Sequence, residues 1–482
     1  VAATAIAMLI AWWGTRWGAG TSPDSNRYLS AAVSIAESWR LDSYTGTPLT
    51  QFPPGYPVVV RLVMIPGLSW QTAARTICIL TAGALVVATA AVARRVVSSP
   101  VLRGTVIVTA VVAPTFTTIN RMAWTEPLFI VVMLALVAVL IDIDHAAAPP
   151  TRRLLVTLAG LTSAAVLLRY AGLGLVPGVA ASLALIGRRR HQWLGGVVAY
   201  VSMSAIVPAL WFMRNLVVSG DIGGPPLPAR GSLWSDLGLV LEAIGRGLLP
   251  VLAPSETTST LVGTLAAGAL VALTVLLVRQ GPHRDVVILS SLSGFLLLQL
   301  IVSARTTWVA IGNRMLSPLL IPAVLIVAIA ADRWLMSRSN DDAPQAASPD
   351  KRRRGARWAA AAAALVLLVG WTIETTDATA VAHDRGVGTT GAFWRNPTLS
   401  DDLGLIPEDA RVVSNEAGAI WNITGRFPVL ELFGGDRQLT DAERCAGAYL
   451  VWFELEPGTP NWVPADATPL AERRRWSVNL LS

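Results

Sequence analysis

Residues 120–141 read NRMAWTEPLFIVVMLALVAVLI. From Pro127 to Ile141 every side chain is apolar, and the run opens on Thr125-Glu126-Pro127, with Arg121 just upstream. A helix that crosses a bilayer needs about 20 mainly apolar residues, and fewer when Trp or Arg at its ends reach the interface. This stretch therefore reads as a membrane helix with ionisable residues at its mouth. Such residues are functional candidates, because leaving them in lipid costs about 3 kcal/mol or more each.

Outward from this segment, ten more of the same kind follow: Val1 to Trp17, Gln71 to Ala93, Val101 to Thr118, Leu154 to Leu168, Ala171 to Ile186, Trp193 to Phe212, Leu261 to Val278, Asp285 to Val302, Leu316 to Ala331 and Trp358 to Trp371. The pair Leu154 to Leu168 and Ala171 to Ile186 is short enough for a bent hairpin. Ala2 to Trp13 reads as the body of the first membrane helix rather than as a cleaved signal peptide, since no small-residue cleavage site follows before Arg16. Composition agrees: 53% of the 482 residues are apolar and only 14% are charged, where a soluble chain carries about 25%. Cys78 and Cys445 lie far apart, which excludes a disulfide framework. Lys351 is the single lysine among 38 basic residues, an arginine bias of the kind a GC-rich genome, such as an actinobacterial one, produces.

Arg and Lys accumulate on the cytoplasmic side of short loops. Arg94, Arg95 and Arg103; Arg152 and Arg153; Arg188 to Arg190; Arg279 and Arg284; and Arg333, Arg338, Lys351 to Arg354 and Arg357 all fall on one set of connections. That face is placed in the cytoplasm of a bacterial plasma membrane. The other face carries the long connections 18–70, 119–126, 214–260 and 303–315 and the tail from Thr372, and function is expected there. From Glu374 onward there are 9 basic and 16 acidic residues, a net −7 in a chain of net +7. A shift of this size marks a separate water-soluble domain. The expected architecture is an all-α polytopic membrane domain over 1–373, with about 11 transmembrane helices and juxtamembrane helices in its outer loops. A small extracytoplasmic α/β domain over 374–482 follows it. Within that domain Ala410 to Ser414 and Ala448 to Phe453 read as strands and Glu416 to Thr424 as a short helix.

The candidate site residues lie on the outer face. Asp24, in Ser22-Pro23-Asp24-Ser25-Asn26-Arg27-Tyr28, stands just past the first membrane helix, where a carboxylate can take a proton from an incoming hydroxyl; Asp24 or Ser22 could instead cap the helix that follows. Gln51-Phe52-Pro53-Pro54-Gly55-Tyr56-Pro57 sets a rigid turn, with Tyr56 open to sugar stacking or to interfacial anchoring. Arg121 and Glu126 flank the fourth helix; they serve a ligand or simply pair with each other. Arg169-Tyr170 falls at the turn of the hairpin, Trp211, Arg214 and Asn215 end the seventh segment, and Arg305 and Arg314 end the ninth and begin the tenth. Arginines gathered on one rim against the positive-inside trend suit an anionic ligand such as a lipid phosphate, because guanidinium forks bind phosphate bidentately. Ordinary headgroup contacts are the alternative. In the tail, Ser414-Asn415-Glu416 and Thr424-Gly425-Arg426 read mainly as packing, and the Asn422-Ile423-Thr424 sequon as chance. No metal-ligand spacing appears, and the four histidines, His145, His191, His283 and His383, are scattered.

Taken in order, five features make the chain resemble the GT-C membrane glycosyltransferases, in the branch of the lipid A aminoarabinose transferases and protein mannosyltransferases. They are Asp24 with Arg27-Tyr28, Pro53-Pro54-Gly55-Tyr56-Pro57, Thr125-Glu126-Pro127-Leu128-Phe129, Trp211-Phe212-Met213-Arg214-Asn215 with Gly220, and Arg314 before Pro318 and Pro322. The resemblance spans most of the chain. It implies a polyprenyl-phosphate sugar as donor, a cell-envelope glycan or glycolipid hydroxyl as acceptor, an outward-facing site and inversion at the anomeric carbon with Asp24 as general base. Arg27, Tyr28, Tyr56, Arg121, Glu126, Arg169, Tyr170, Arg214, Asn215, Arg305 and Arg314 are then the residues for donor phosphate or sugar. Membrane lipids are the remaining partners, and no nucleic acid is expected. No cofactor is firmly implied; a divalent metal stays open, with Asp24 or Glu126 as ligand. Protein mannosyltransferases pair two acidic residues in the first loop, whereas Ser25 follows Asp24 here, which speaks against a protein acceptor. Two other readings share the outer arginines: a transporter of lipid or lipid-linked sugar, and a polymerase or ligase using polyprenyl-pyrophosphate donors.

Overall fold

Helix starts in this chain are written largely by a polar cap followed by proline. Ser22-Pro23, Ser99-Pro100 and Asn396-Pro397 each place a side-chain acceptor at the cap and a proline in the first turn, where its missing N–H costs nothing and its fixed φ suits the helix. The computed structural model describes residues 1–146, 150–187, 193–223, 232–250, 255–281, 284–306, 311–336, 351–432, 448–455, 463 and 467–481. Its helices are α1 (Ala2–Gly14), α2 (Pro23–Ser38), α3 (Gly55–Met64), α4 (Trp70–Val96), α5 (Pro100–Val112), α6 (Pro114–Ile119), α7 (Glu126–His145), α8 (Arg152–Leu168) and α9 (Leu175–Gly187). A 3-10 turn, Tyr170–Gly174, joins the last two. There follow α10 (Trp193–Ser219), α11 (Leu233–Leu248), α12 (Glu256–Arg279), α13 (Arg284–Thr306), α14 (Asn313–Met336), α15 (Lys351–Arg385), α16 (Pro397–Gly404) and α17 (Ala417–Thr424). The strands are β1 (Val412–Ser414), β2 (Val429–Glu431), β3 (Tyr449–Phe453), β4 (Thr468–Glu472) and β5 (Trp476–Leu480).

The fold is therefore mostly helical with one small sheet, as expected, and every expected apolar segment is helical. Among the described residues, seven helices are long and apolar enough to cross a membrane: those spanning 70–96, 126–145, 194–219, 256–279, 284–304, 313–335 and 361–385. The other expected spans are shorter. The third breaks at Ala113, whose extended backbone (φ −65°, ψ 123°) is what Pro114 imposes on the residue before it. The hairpin bends at Arg169, also extended. The long connection 214–260 contains α11, a helix of the kind expected in the outer loops, and the Pro-Pro-Gly-Tyr-Pro turn runs straight into α3.

Two compact units emerge. The first holds Val1–Trp13, Cys78–Asn120 and Thr125–Val381, and the second Gly14–Ile77, Arg121–Trp124 and Ala382–Ser482. In the first, α7 and α14 occupy the interior, with 61% of an 18-residue apolar stretch of each buried against 11% for α12 and the end of α15, so the latter two present apolar surface for lipid. Helix α9 lies on α13, and α10 on α8. Helices α11 and α12 meet backbone to backbone at Gly245 and Gly263. One end of α7 carries ion pairs Arg95–Asp142 and Arg284–Asp144, while Asp332 of α14 accepts from the backbone N–H groups of Ser98 and Ser99.

In the second unit the sheet runs in the order β2-β1-β3-β5-β4, with β1 parallel to β2 and β3, and β5 antiparallel to β3 and β4. Val413, Leu450, Trp452 and Leu481 form its core. Helix α17 packs on α2, and α2 on α3. The segment 121–124 is tied to the start of α2: Gly20 N–H donates to Arg121 O and Ala123 N–H to Gly20 O, both at 2.8 Å, and Trp124 Nε1 donates to Ser22 Oγ at 2.9 Å.

Candidate active site

The first unit holds the strongest polar constellation. Glu126 opens α7 with Pro127 behind it, and its side chain is wholly buried. Arg314 Nε donates to Glu126 Oε1 at 2.5 Å, and an Arg169 terminal nitrogen pairs with the same oxygen. Thr125 completes the group, accepting from Arg169 at 3.1 Å and lying 3.5 Å from Glu126 Oε2. Each charged member stands at a helix end: Glu126 is the first residue of α7. Arg169 is the extended residue after α8, and Arg314 is the second residue of α14. Pro318 has no N–H for the Arg314 carbonyl one turn back, and the Ser317 hydroxyl donates to that carbonyl at 2.7 Å instead. Two guanidiniums face one carboxylate, so the group carries a net positive charge.

The same turn carries a second polar group. Tyr170 OH accepts from Trp211 Nε1 at 2.9 Å and from Asn215 Nδ2 at 3.4 Å. Asn215, fully buried, also donates to Ile222 O at 2.9 Å, a contact made possible by the left-handed Gly220 (φ +77°). Arg214 donates to Asn215 Oδ1 at 3.1 Å and lies 4.9 Å from the Trp211 ring. Glu126, Arg169, Tyr170, Arg214, Asn215 and Arg314 thus fall into two adjoining groups joined by the Arg169-Tyr170 peptide. Arg305 ends α13 and its side chain lies outside the described residues.

The remaining candidates belong to the second unit. Ser22, not Asp24, caps α2, and Asp24 sits half-buried in the first turn. Arg27 pairs with Glu431 Oε2 at 2.5 Å, and Tyr44 OH donates to that oxygen at 3.0 Å. Burial, and then the charge of Glu431, push the Tyr44 phenol far above its ordinary value, so it stays protonated. Tyr28 and Tyr56 are buried edge to face, 5.6 Å between centroids, and the Phe52 ring lies 5.1 Å from that of Tyr28. Arg121 is buried as well. Asn422 of the sequon turns inward, its amide near Thr21, Asn26 and Thr389 at 3.1, 3.2 and 2.9 Å.

Sequence reasoning missed Thr125 as a partner for Arg169, and it read Glu416 mainly as packing, with contact to an acceptor sugar as the alternative. Glu416 follows β1 half-buried, with Ser414 Oγ accepting from its N–H at 3.0 Å. Burial, and then nearby Glu431, push its carboxyl up to about 7. A perturbed acid of this kind has no signature in a single sequence, since the perturbing residue is 15 positions away on another strand.

A divalent cation does not suit Glu126, because two guanidiniums already face its carboxylate and would repel a further cation there. Among the described residues, Asp144, His145 and Asp285 have possible ligand atoms within 4.8 Å of one another, at the opposite end of α7. There Arg284 pairs with Asp144 at 2.5 Å.

No protein-family model matches the sequence, and no curated protein does. Solved structures match in fold. ArnT from Cupriavidus metallidurans in the apo state superposes with a TM-score of 0.62 at 16% identity, covering 100% of this chain and 97% of that one. ArnT bound to undecaprenyl phosphate gives 0.59 at 15%, covering 100% and 98%. The archaeal oligosaccharyltransferase AglB from Archaeoglobus fulgidus, in complex with an inhibitory peptide and a dolichol-phosphate, gives 0.56 at 14%, covering 94% of this chain and 69% of that one. The chain has the fold of the GT-C membrane glycosyltransferases.

Proposed function

We propose that this protein is an inverting glycosyltransferase that moves a sugar from a polyprenyl-phosphate donor to a hydroxyl of a cell-envelope glycan or glycolipid on the extracytoplasmic side of the membrane. The observation that carries this reading is the buried Glu126 with Arg169 and Arg314 on one oxygen, in a fold whose solved examples include ones bound to undecaprenyl phosphate and dolichol-phosphate. The acceptor oxygen attacks the anomeric carbon, the bond from that carbon to the phosphate oxygen breaks, and the hydroxyl proton passes to Asp24. Charge builds on the departing lipid phosphate, and Arg169 and Arg314 stabilise it from positions set before the reaction begins. The displacement inverts the anomeric centre.

The test is a donor screen on purified protein in nanodiscs, with mass spectrometry for released polyprenyl phosphate. Release is expected with one monophosphate donor and an added glycan acceptor. Asp24→Asn should lower it about 10² to 10⁴-fold, the span of general-base catalysis, with folding intact. Full activity in Asp24→Asn would remove Asp24 as the base. Release from pyrophosphate donors only, or movement of intact lipid-linked sugar across liposomes without a covalent product, would replace the reaction itself.

A further inference from the structure

Glu126 has an environment that suits neither a sugar-binding acid nor a metal ligand. Its Oε1 receives Arg314 Nε at 2.5 Å and an Arg169 nitrogen, while Thr125 bridges Arg169 to the neighbourhood of Oε2. The acid is 0% exposed, whereas the side chains of Arg169 and Arg314 keep 15% and 23%. The carboxylate is sealed from solvent, while both guanidinium side chains keep some exposure. The two arginines come from the end of α8 and the start of α14, so nothing in the local chain holds them together. Two like charges this close repel, and each long side chain carries rotamer freedom that must be lost before it can serve as a fixed donor.

We infer that Glu126 is a positioning residue. It clamps Arg169 and Arg314 into a preformed cradle for a lipid-phosphate anion and itself touches neither sugar, phosphate nor metal. This rests on the transfer reading above, and the experiment separates the two. Glu126→Gln keeps the size of the side chain and removes the negative charge that the two guanidiniums share. An anion should then bind as well as before or better, while the donors are no longer held in line for the transition state. Displacement of catalytic groups by about 1 Å costs on the order of 10²-fold.

The measurements are kcat and KM for the donor, together with calorimetric binding of a short prenyl monophosphate, on protein whose thermal unfolding is recorded. Glu126→Gln should lose about 10²-fold in kcat, with affinity for the prenyl phosphate within threefold of the wild type or tighter. Glu126→Asp should recover part of the rate, and it carries the test should the Gln variant not fold. Adding Arg314→Gln to Glu126→Gln should cost little beyond Arg314→Gln alone, since residues acting as one group are not additive. Equal loss of prenyl-phosphate affinity and kcat in Glu126→Gln would make Glu126 a direct ligand. Restoration by added Mg2+ or Mn2+ would make it a metal ligand. Lowered thermal stability with kcat intact would make it structural only. Each of these overturns the inference. Should the wild type use no polyprenyl-phosphate donor, the transfer reading falls alone. Prenyl phosphate binding that is abolished by Arg169→Gln with Arg314→Gln but kept by Glu126→Gln would still support the clamp, and no binding by the wild type would end both.

Discussion

Glu416 has a raised carboxyl, about 7 against an ordinary 4.5, because burial and Glu431 both disfavour its charge. A group whose folded value is raised contributes stability that is fully present below its unfolded value and is lost as the pH climbs through the folded one. Thermal unfolding followed from pH 4 to pH 9 should therefore show stability declining between about 4.5 and about 7. Glu416→Gln should flatten that decline and gain about 2 kcal/mol at pH 8, allowing for partial exposure; an unchanged pH profile would assign the slope to another group. Asp402 is the opposite case. Arg473 donates to it at 3.0 and 2.9 Å and Trp476 Nε1 at 3.0 Å, and these bonds, that of Arg473 foremost, hold its carboxyl below the ordinary range. Asp402→Asn should destabilise the chain in denaturant titrations, since it takes the charged acceptor away from half-exposed Arg473 and from the buried Trp476 Nε1. Neither environment could be read from the sequence: Glu431 lies 15 positions from Glu416 and Arg473 lies 71 from Asp402, and only folding brings each pair together.

Among the helices, proline and glycine decide where backbones open and where they touch. Pro208 in α10 frees the Ser204 carbonyl, which accepts from Ser163 Oγ at 3.2 Å, just as Ser317 serves the carbonyl freed by Pro318. Ser317→Ala should cost about 1 kcal/mol and also lower kcat, because the orphaned carbonyl belongs to Arg314. Ser163→Ala should cost similar stability and leave kcat alone. At the contact of α11 and α12, a β-carbon on Gly245 would stand 1.8 Å from Ser259 O, and one on Gly263 would stand 1.7 Å from Leu241 O. Gly245→Ala or Gly263→Ala should part the two helices and lower the unfolding temperature markedly. Gly268→Ala, with nothing within 4 Å, should gain up to about 1 kcal/mol from helix propensity. A sequence reading that places α14 by its apolar run sees Pro318 and Pro322 but starts the helix at Leu316, three residues past Asn313, because hydropathy cannot see a polar first turn. It expects helices in the outer loops but does not place α11, since Ser235, Asp236, Glu242 and Arg246 interrupt the apolar pattern of a helix that is only partly buried.

For the molecule as a whole, hydropathy alone recovers the helical membrane architecture, because long apolar runs have no other stable place to go. The sheet is harder. The strands β1 and β3 are legible as apolar runs, while β2, β4 and β5 are too short or too mixed to stand out from loops. Of the candidate residues, those gathered by Arg169-Tyr170 could be ranked by their position at helix ends, but their partners could not. The proposed orientation gives a direct expectation. In a chain with Cys78 and Cys445 replaced, a cysteine at exposed Leu405 should react with an impermeant maleimide on intact cells, and one at exposed Arg94 only after permeabilisation; the reverse pattern would invert the topology. The second unit is assembled from 14–77, 121–124 and 382–482. At about 5–20 residues per second of synthesis, the ribosome takes on the order of 15–60 s to pass from Ile77 to Ala382. During that interval α2 has been made, while Glu431 for Arg27 and α17 for Asn26 have not. The nascent loop must wait outside its fold, which makes it the part of the newborn chain most in need of a chaperone and most exposed to proteases.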